Sequence, residues 1–229
     1  MAERTLRKRR NPKLPVLLFR PSIITGAMNE PMPGWTDTIS AAGGLSLVGG
    51  IGIVNYIHGH VNNLADLIPV DIVSSSILVG TALQANKPEL KLYHCASSHR
   101  RPLTWGEFKH YTFEYLKIQP YQMQIFKPDI KFVPNQNVYK TKFFLKQELP
   151  VKIMEKLSKI PGIGTSNLKK NVKKGKMMIS RAWETGLLFD HFTSNSWIFE
   201  TKAVEEMYKQ ITPLDRQTFI IDPRDIDWR

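Results

Sequence analysis

An unbroken apolar run over residues 14–19 ends in Arg-Pro-Ser and opens into a long segment rich in glycine and proline. Six residues suit a strand better than a helix, and Pro21 removes a backbone donor where that strand should stop. A strand that is apolar on both faces is typical of a parallel sheet, because helices cover both sides of such a sheet. We therefore predict an α/β fold with a buried parallel strand at this position.

The loop after this strand is the first candidate binding site. Open α/β sheets bind ligands just outside the carboxyl ends of their strands, which is where Ser22, Ile23, Ile24 and Gly26 would lie. A core strand followed by an ordinary turn explains the same residues equally well. The residues alone leave both interpretations open.

Composition limits the classes of function. The net charge of +12 over 229 residues favours a polyanionic partner, and no window reaches the ~18–20 apolar residues that a membrane span needs. With 6 His and 1 Cys there is little material for a metal site. His58 and His60 lack a nearby third ligand, so we interpret them as a solvent-facing pair. Cys95 is predicted to be a buried core thiol.

Local patterns predict several elements along the chain. Residues 1–10 are predicted to be the last turns of a helix, because their basic residues suit a helix carboxyl end. A helix is expected to start at Pro69, residues 90–96 to form a strand, and residues 104–116 to form an amphipathic helix. The five glycines of residues 41–53 predict mobility or close backbone approach rather than regular structure.

Most of the positive balance lies in one stretch, which runs from Lys140 to Arg181. Within it, LSKIPGIGTSNL resembles a helix-hairpin-helix turn, in which amides such as those of Gly162 and Gly164 approach a nucleic-acid phosphate. A plain loop between two helices needs the same proline and glycines for steric reasons. The turn occurs once, and no aromatic residues interleave with the lysines around it. We therefore favour the loop, with its lysines facing an acidic protein or an anionic lipid surface.

Three motifs in order, LPVLLFRPSIITGAMNEPMPGW, ADLIPVDIV and YHCASSHRRPLTWGEF, resemble the second half of the reductase domain of fatty acyl-CoA reductases, the alcohol-forming or male-sterility family. The tail WIFETKAVEEMYKQITPLDRQTFIIDPRDIDW is similar to the small carboxyl-terminal domain of that family. The match covers nearly the whole chain but is poor over residues 127–176. The resemblance implies an incomplete Rossmann-like, extended short-chain dehydrogenase domain over residues 1–120. A basic helical segment over residues 121–181 and a family-type carboxyl-terminal domain over residues 182–229 would follow.

The resemblance also carries expectations about chemistry. In that family NADPH reduces a long-chain acyl-CoA to an alcohol, and a Tyr-x-x-x-Lys pair precedes the matched strand. The resemblance places that pair, and the GxxGxxG phosphate loop, before Met1. We therefore expect no catalytic residue, no metal and no cofactor held by this chain alone. Pro21, Ser22 and Ile23 match the loop beside the nicotinamide and would form a vestigial cofactor-binding wall.

The expected function is a non-catalytic structural subunit of a larger assembly, a pseudoenzyme connected with lipid metabolism. Other protein chains would cover the truncated edge of its sheet. Two alternatives stay open: a portion of an active NADPH-dependent reductase, completed by residues or a chain outside this sequence, and a nucleic-acid-binding module that uses the PGIG turn. The resemblance implies an intracellular, membrane-associated organelle such as the peroxisome or endoplasmic reticulum, and the arginine-rich start leaves the mitochondrion as an alternative.

Overall fold

The structure, a computed structural model, describes residues 1–38, 41–122, 124–161 and 164–228. It is a mixed α/β chain in which all the paired strands of the described part run parallel. The strands are β1 (Val16–Pro21), β2 (Ile23–Thr25), β3 (Tyr56–His58), β4 (Leu67–Pro69), β5 (Leu90–Cys95) and β6 (Lys131–Val133). The helices are α1 (Ala2–Arg9), α2 (Ala41–Gly50), α3 (Val70–Gln84), α4 (Trp105–Ile118), α5 (Gln136–Phe143), α6 (Leu149–Leu157), α7 (Ser166–Ser194), α8 (Lys202–Gln210) and α9 (Pro213–Thr218). A π-helical turn, Phe144–Glu148, joins α5 to α6, and a 3₁₀ turn, Pro223–Asp225, follows α9.

The chain forms two compact units, each assembled from segments that are distant in sequence. The first unit contains residues 1–43, 66–103 and 197–229, and the second contains residues 44–65 and 104–196. The predicted fold class is confirmed as mixed α/β with parallel strands. The predicted domain division at residues 120 and 181 stays a prediction.

In the first unit, one extended segment changes its neighbour part way along. β1 pairs in parallel with β5 over its full length, from Val16 opposite Leu90 to Pro21 opposite Cys95. After the single residue Ser22, the chain continues as β2, which pairs in parallel with β4. The prediction that β1 is buried is wrong, because the strand is half-buried and only one of its edges has a described strand beside it.

The core of the first unit joins the early strands to the end of the chain. Tyr93 of β5 stacks on Phe19 of β1, with 5.1 Å between the ring centroids. Val79 of α3 and Met207 of α8 are buried in the same cluster. The burial of such apolar side chains contributes about 25 cal/mol per Å² of surface removed from water. Residues 197–229 are therefore part of the core of the first unit.

The second unit is built around the long helix α7. β3 pairs in parallel with β6, and the Tyr139 ring of α5 stacks on Trp183 of α7, with 5.9 Å between their centroids. Burial raises the pKa of Tyr139 to about 12. Trp105, fully buried at the start of α4, meets Phe189 of α7 edge to face. Among the residues that the structure describes, no helix combines the length and apolar character needed to cross a bilayer.

Several predicted elements are confirmed. α1 occupies the basic amino-terminal segment, β5 matches the predicted strand, and α3 begins directly after Pro69. α4 begins where predicted because Thr104 and Glu107 form a capping box, in which each side chain accepts the backbone N–H of the other. Cys95 is buried and free of any disulfide, as predicted.

The prediction of irregular structure over residues 41–53 is wrong, because Ala41–Gly50 form α2. The expectation of close backbone approach there is confirmed. A Cβ atom on Gly49 would lie 2.5 Å from Ile130 Cδ1, and one on Gly50 would lie 2.5 Å from Tyr121 Cε2. Tertiary packing therefore stabilises a helix whose local propensity is poor.

Candidate functional site

The three residues singled out as a cofactor wall lie where β1 gives way to β2. The Ser22 N–H donates to the Cys95 carbonyl of β5 at 2.9 Å, and the Ile23 N–H donates to the Asp66 carbonyl before β4 at 3.0 Å. Pro21, the last residue of β1, is exposed and has no N–H to donate. The segment thus passes from one parallel neighbour to another at Ser22. In open α/β sheets, ligands bind outside the carboxyl ends of the strands.

The Ser22 side chain is the unsatisfied group of this junction. Its hydroxyl oxygen is buried and has no hydrogen-bond partner in the described part of the chain. A buried hydroxyl without a partner is costly, and a water, a ligand or a neighbouring chain can each supply that partner. This group fits a hydrogen-bonding function such as the nicotinamide carboxamide of NADPH, a cofactor that would supply hydride.

Asp66 connects the junction to the segment after β5. The sequence analysis did not single this residue out. Its buried carboxylate accepts the Ser97 N–H at 2.9 Å and the Ser98 N–H at 3.3 Å. The hydroxyls of both serines donate to the same carboxylate, at 3.3 and 2.5 Å. Four donors compensate the desolvation of this charge. The motifs ADLIP and YHCASSH contain these residues, but only the fold brings them together.

Asp71, in the first turn of α3, fastens the proline-rich loop that follows β2. Its carboxylate accepts the backbone N–H groups of Met28 at 3.0 Å, Asn29 at 2.7 Å and Glu30 at 3.2 Å. Burial alone would raise the pKa of Asp71, but these N–H groups outweigh it and hold the pKa below its ordinary value. The loop is therefore tied to the amino end of α3, where a negative charge is also favoured by the helix dipole.

The other potentially reactive groups near Ser22 are one thiol and two hydroxyls. Burial raises the pKa of the Cys95 thiol to about 11, so the thiol is protonated at neutral pH. The Ser97 and Ser98 hydroxyls both donate to the Asp66 carboxylate, which holds them in a buried hydrogen-bond network.

Elsewhere, the interpretation of His58 as solvent-facing is wrong. Its ring lies between α7 and the segment before α5, with Nδ1 facing the Asp190 carboxylate and Nε2 lying 3.0 Å from the Pro134 carbonyl oxygen. The ring is covered because β3 packs against α7, whereas His60 is exposed as predicted. The described residues contain no group of three or more His, Cys, Asp or Glu side chains that could hold a metal ion.

The PGIG turn lies between α6 and α7, and its Gly162 lies outside the described residues. A Cβ atom on Gly164 would lie 2.1 Å from the Ser158 carbonyl oxygen, so the turn needs this glycine for steric reasons. The nearby Lys159 and Lys176 both pair with Glu155, at 3.3 and 2.8 Å. These contacts favour the interpretation as a loop between two helices.

Parallel strand pairs combined with helices place this protein in the α/β class. Comparison with known proteins agrees: an NAD-binding family model described as "Male sterility protein" matches residues 1–77. Fatty acyl-CoA reductase 1 of Rattus norvegicus is 31% identical over 220 residues, and its Homo sapiens counterpart is 29% identical over 218 residues. Fatty acyl-CoA reductase wat of Drosophila melanogaster is 27% identical over 219 residues.

The chain belongs to the fatty acyl-CoA reductase family as a partial member. Each alignment covers 94% of this chain, so the relationship extends far beyond the NAD-binding segment. The chain spans 41% of the length of the human and rat relatives and 40% of the Drosophila relative.

Proposed function

We propose that this chain is a fatty acyl-CoA reductase-like protein that is not catalytic alone and acts as a structural subunit of a larger assembly. The observation that carries the proposal is the unpaired edge of β1. Val16 and Ser22 both donate their N–H groups toward the β5 side. Because N–H groups alternate along a strand, those of Leu17 and Phe19 point to the opposite edge, where the described part of the chain supplies no strand.

This edge suits a further parallel strand. β1 is apolar and half-buried, and an edge strand of this kind associates with another strand unless it is covered. We commit to one occupant: a strand from the dinucleotide-binding half of a fatty acyl-CoA reductase. The relatives named for that activity are more than twice as long as this chain, and a parallel neighbour would extend the sheet in the direction that β1 and β5 already share.

A second candidate function is favoured by the orphaned Ser22 hydroxyl. Once the dinucleotide-binding half is in place, this hydroxyl would hold and orient the nicotinamide of NADPH, and the chain would be one portion of an active reductase that makes fatty alcohols. The two candidates share the same geometry and differ in whether the assembly turns over. The alternative of duplex binding through the PGIG turn has less support, because sterics already explain Gly164.

The proposed association through the β1 edge is tested by capture of the full chain on the immobilised dinucleotide-binding half of a fatty acyl-CoA reductase. Leu17→Pro removes an outward N–H but leaves the β5 ladder intact, whereas Leu17→Ala shortens the same side chain and keeps the N–H. We expect Leu17→Pro to lose capture and Leu17→Ala to keep most of it, with both variants still folded by circular dichroism. Equal capture of the two variants would contradict the proposal. Failure to capture the unmodified chain would contradict it as well.

A further inference from the structure

A small cavity in the first unit, which we call the Arg216 pocket, shares no lining residue with the Ser22 junction. It is formed mainly by one face of α8, by Arg216 of α9, by the 3₁₀ turn and by Arg100. Its volume is about 260 Å³, whereas pockets that enclose a drug-sized ligand measure ~300–1,000 Å³. The Arg216 pocket therefore has room for one small chemical group rather than for a whole cofactor.

The lining of the Arg216 pocket carries an excess of positive charge. Four side chains are cationic and two are anionic, which leaves a formal charge of +2; they are Arg100, Lys209, Arg216 and Arg224, with Glu205 and Asp222. Arg100 Nη1 lies 2.7 Å from the Glu205 carboxylate, and Arg224 Nε donates to the Asp222 carboxylate at 2.9 Å. Both carboxylates are therefore occupied by two of the four cations, and the excess charge belongs to the other two.

Those two cations are Lys209 and Arg216. In the part of the chain that the structure describes, neither has a carboxylate within ion-pair distance. The guanidinium carbon of Arg216 lies 4.4 Å from the centroid of the Tyr208 ring, and this cation–π contact holds the guanidinium in place. A guanidinium that is already held in place loses little conformational freedom when it binds an anion.

The Arg216 guanidinium is also incompletely satisfied. Its Nε atom is buried and has no hydrogen-bond partner among the described residues, so part of the charged group is removed from water without a compensating contact. An anion beside the terminal Nη groups would offset that cost. Because Nε itself is closed off, we assign the contact with a ligand to the Nη groups and not to this atom.

The size of the excess charge selects the kind of anion. A phosphomonoester carries a charge of about −1.5 to −2 at pH 7, which balances the excess of +2, whereas a carboxylate supplies only half of it. Arginine also donates to phosphate oxygens through two parallel N–H groups. We propose that the Arg216 pocket binds a phosphomonoester dianion, which Arg216 and Lys209 contact. Two sources present this chemistry: a free phosphate ester and a phosphoserine side chain of another protein.

The test is isothermal titration of the full chain at low ionic strength with glycerol phosphate, with a blocked glycine peptide that contains one phosphoserine, and with acetate. We expect both phosphate esters to bind, with affinities that fall as salt is added, and acetate to bind about tenfold more weakly or less. Tighter binding of the peptide than of glycerol phosphate would support a protein as the source. Equal binding would support a free phosphate ester.

Variants of the two unpaired cations locate the binding. Arg216→Gln and Lys209→Gln should each weaken the binding of glycerol phosphate by about tenfold, because each removes a charged donor. Arg216→Lys should recover part of the loss, because it restores the charge without the paired donors. Lys209 is exposed, so Lys209→Gln keeps the test valid if the loss of stacking on Tyr208 unfolds Arg216→Gln. The control variant Lys87→Gln removes the same charge at an exposed position outside the pocket and should leave binding unchanged.

The proposal is overturned if neither phosphate ester binds. Acetate binding as tightly as glycerol phosphate would show only a general attraction for anions, and equal losses in Lys209→Gln and Lys87→Gln would show an effect of net charge without a site. Binding of phosphatidylserine vesicles that Lys209→Gln abolishes and glycerol phosphate does not affect would assign these cations to a lipid surface. None of these measurements uses NADPH, acyl-CoA or a second polypeptide, so their outcome is independent of the proposed function.

Discussion

The Asp71 carboxylate accepts the backbone N–H of Asn29 at 2.7 Å, and the two residues are 42 positions apart in the chain. This bond, with those from Met28 and Glu30, fixes the proline-rich loop beside the Ser22 junction. Asp71→Asn keeps the shape of the side chain but replaces the charged acceptor. We expect a loss of about 1–3 kcal/mol in the free energy of unfolding, because hydrogen bonds to a charged group are lost.

The pH dependence of this loss follows from the direction of the pKa shift. The folded-state pKa of Asp71 lies below its unfolded value of about 3.9. Its contribution is therefore complete above that pH and disappears as the pH falls through the folded-state pKa. Urea unfolding between pH 7 and pH 3 should show the unmodified chain converging on Asp71→Asn, while Asp37→Asn, at an exposed position, runs parallel to the unmodified chain. A constant gap between the unmodified chain and Asp71→Asn would contradict this account.

The parts of the fold that were predictable are those decided by local residues. The capping box depends on two residues close in sequence, Thr104 and Glu107. The prolines and basic residues around β1 and α1 mark where those elements end. α2 was missed because its stability comes from Ile130 and Tyr121, which pack where Gly49 and Gly50 have no side chain. No local signal reports such packing.

The candidate sites, like the elements of the fold, were predictable only where local residues decide them. A strand ending in Pro21 suggested the Ser22 loop, but the change of neighbour at Ser22 depends on β4 and β5, which are far away in the sequence. A cavity of the second unit that is lined by several lysines was hidden for the same reason. Lys109, Lys127 and Lys146 belong to three separate elements and converge only in three dimensions.

Cys95 offers a test of the interior of the first unit. Its thiol lies 3.7 Å from the Ser76 hydroxyl in the buried core, and burial raises its pKa to about 11. The folded chain should therefore resist alkylation by iodoacetamide at pH 8 and react fully in urea, as read by intact mass. The pKa of an unfolded cysteine thiol is about 8.5. Because the folded-state pKa is higher, the free energy of unfolding should also fall as the pH rises above that value. Rapid alkylation of the folded chain would show that this core is open.

Gly164 separates the two interpretations of the PGIG turn. Gly164→Ala places a methyl group against the Ser158 carbonyl, so we expect it to lower the free energy of unfolding by about 1–3 kcal/mol. Gly43→Ala, at an exposed position of α2 with open space around it, should be neutral or stabilising by up to about 1 kcal/mol. Gel-shift titration should find weak duplex binding by the unmodified chain and by both variants. Submicromolar duplex binding that Gly164→Ala abolishes without a loss of stability would instead support the nucleic-acid module.

The central claim is that this polypeptide does not reduce acyl-CoA alone. The most direct measurement is oxidation of NADPH at 340 nm by the purified full chain in the presence of palmitoyl-CoA, with fatty alcohol quantified by mass spectrometry. The account predicts no acyl-CoA-dependent oxidation and no alcohol at any concentration of the chain, because the proposed function assigns the dinucleotide-binding half to another polypeptide. Alcohol production that rises in proportion to the concentration of the chain, with no other polypeptide present, would contradict it.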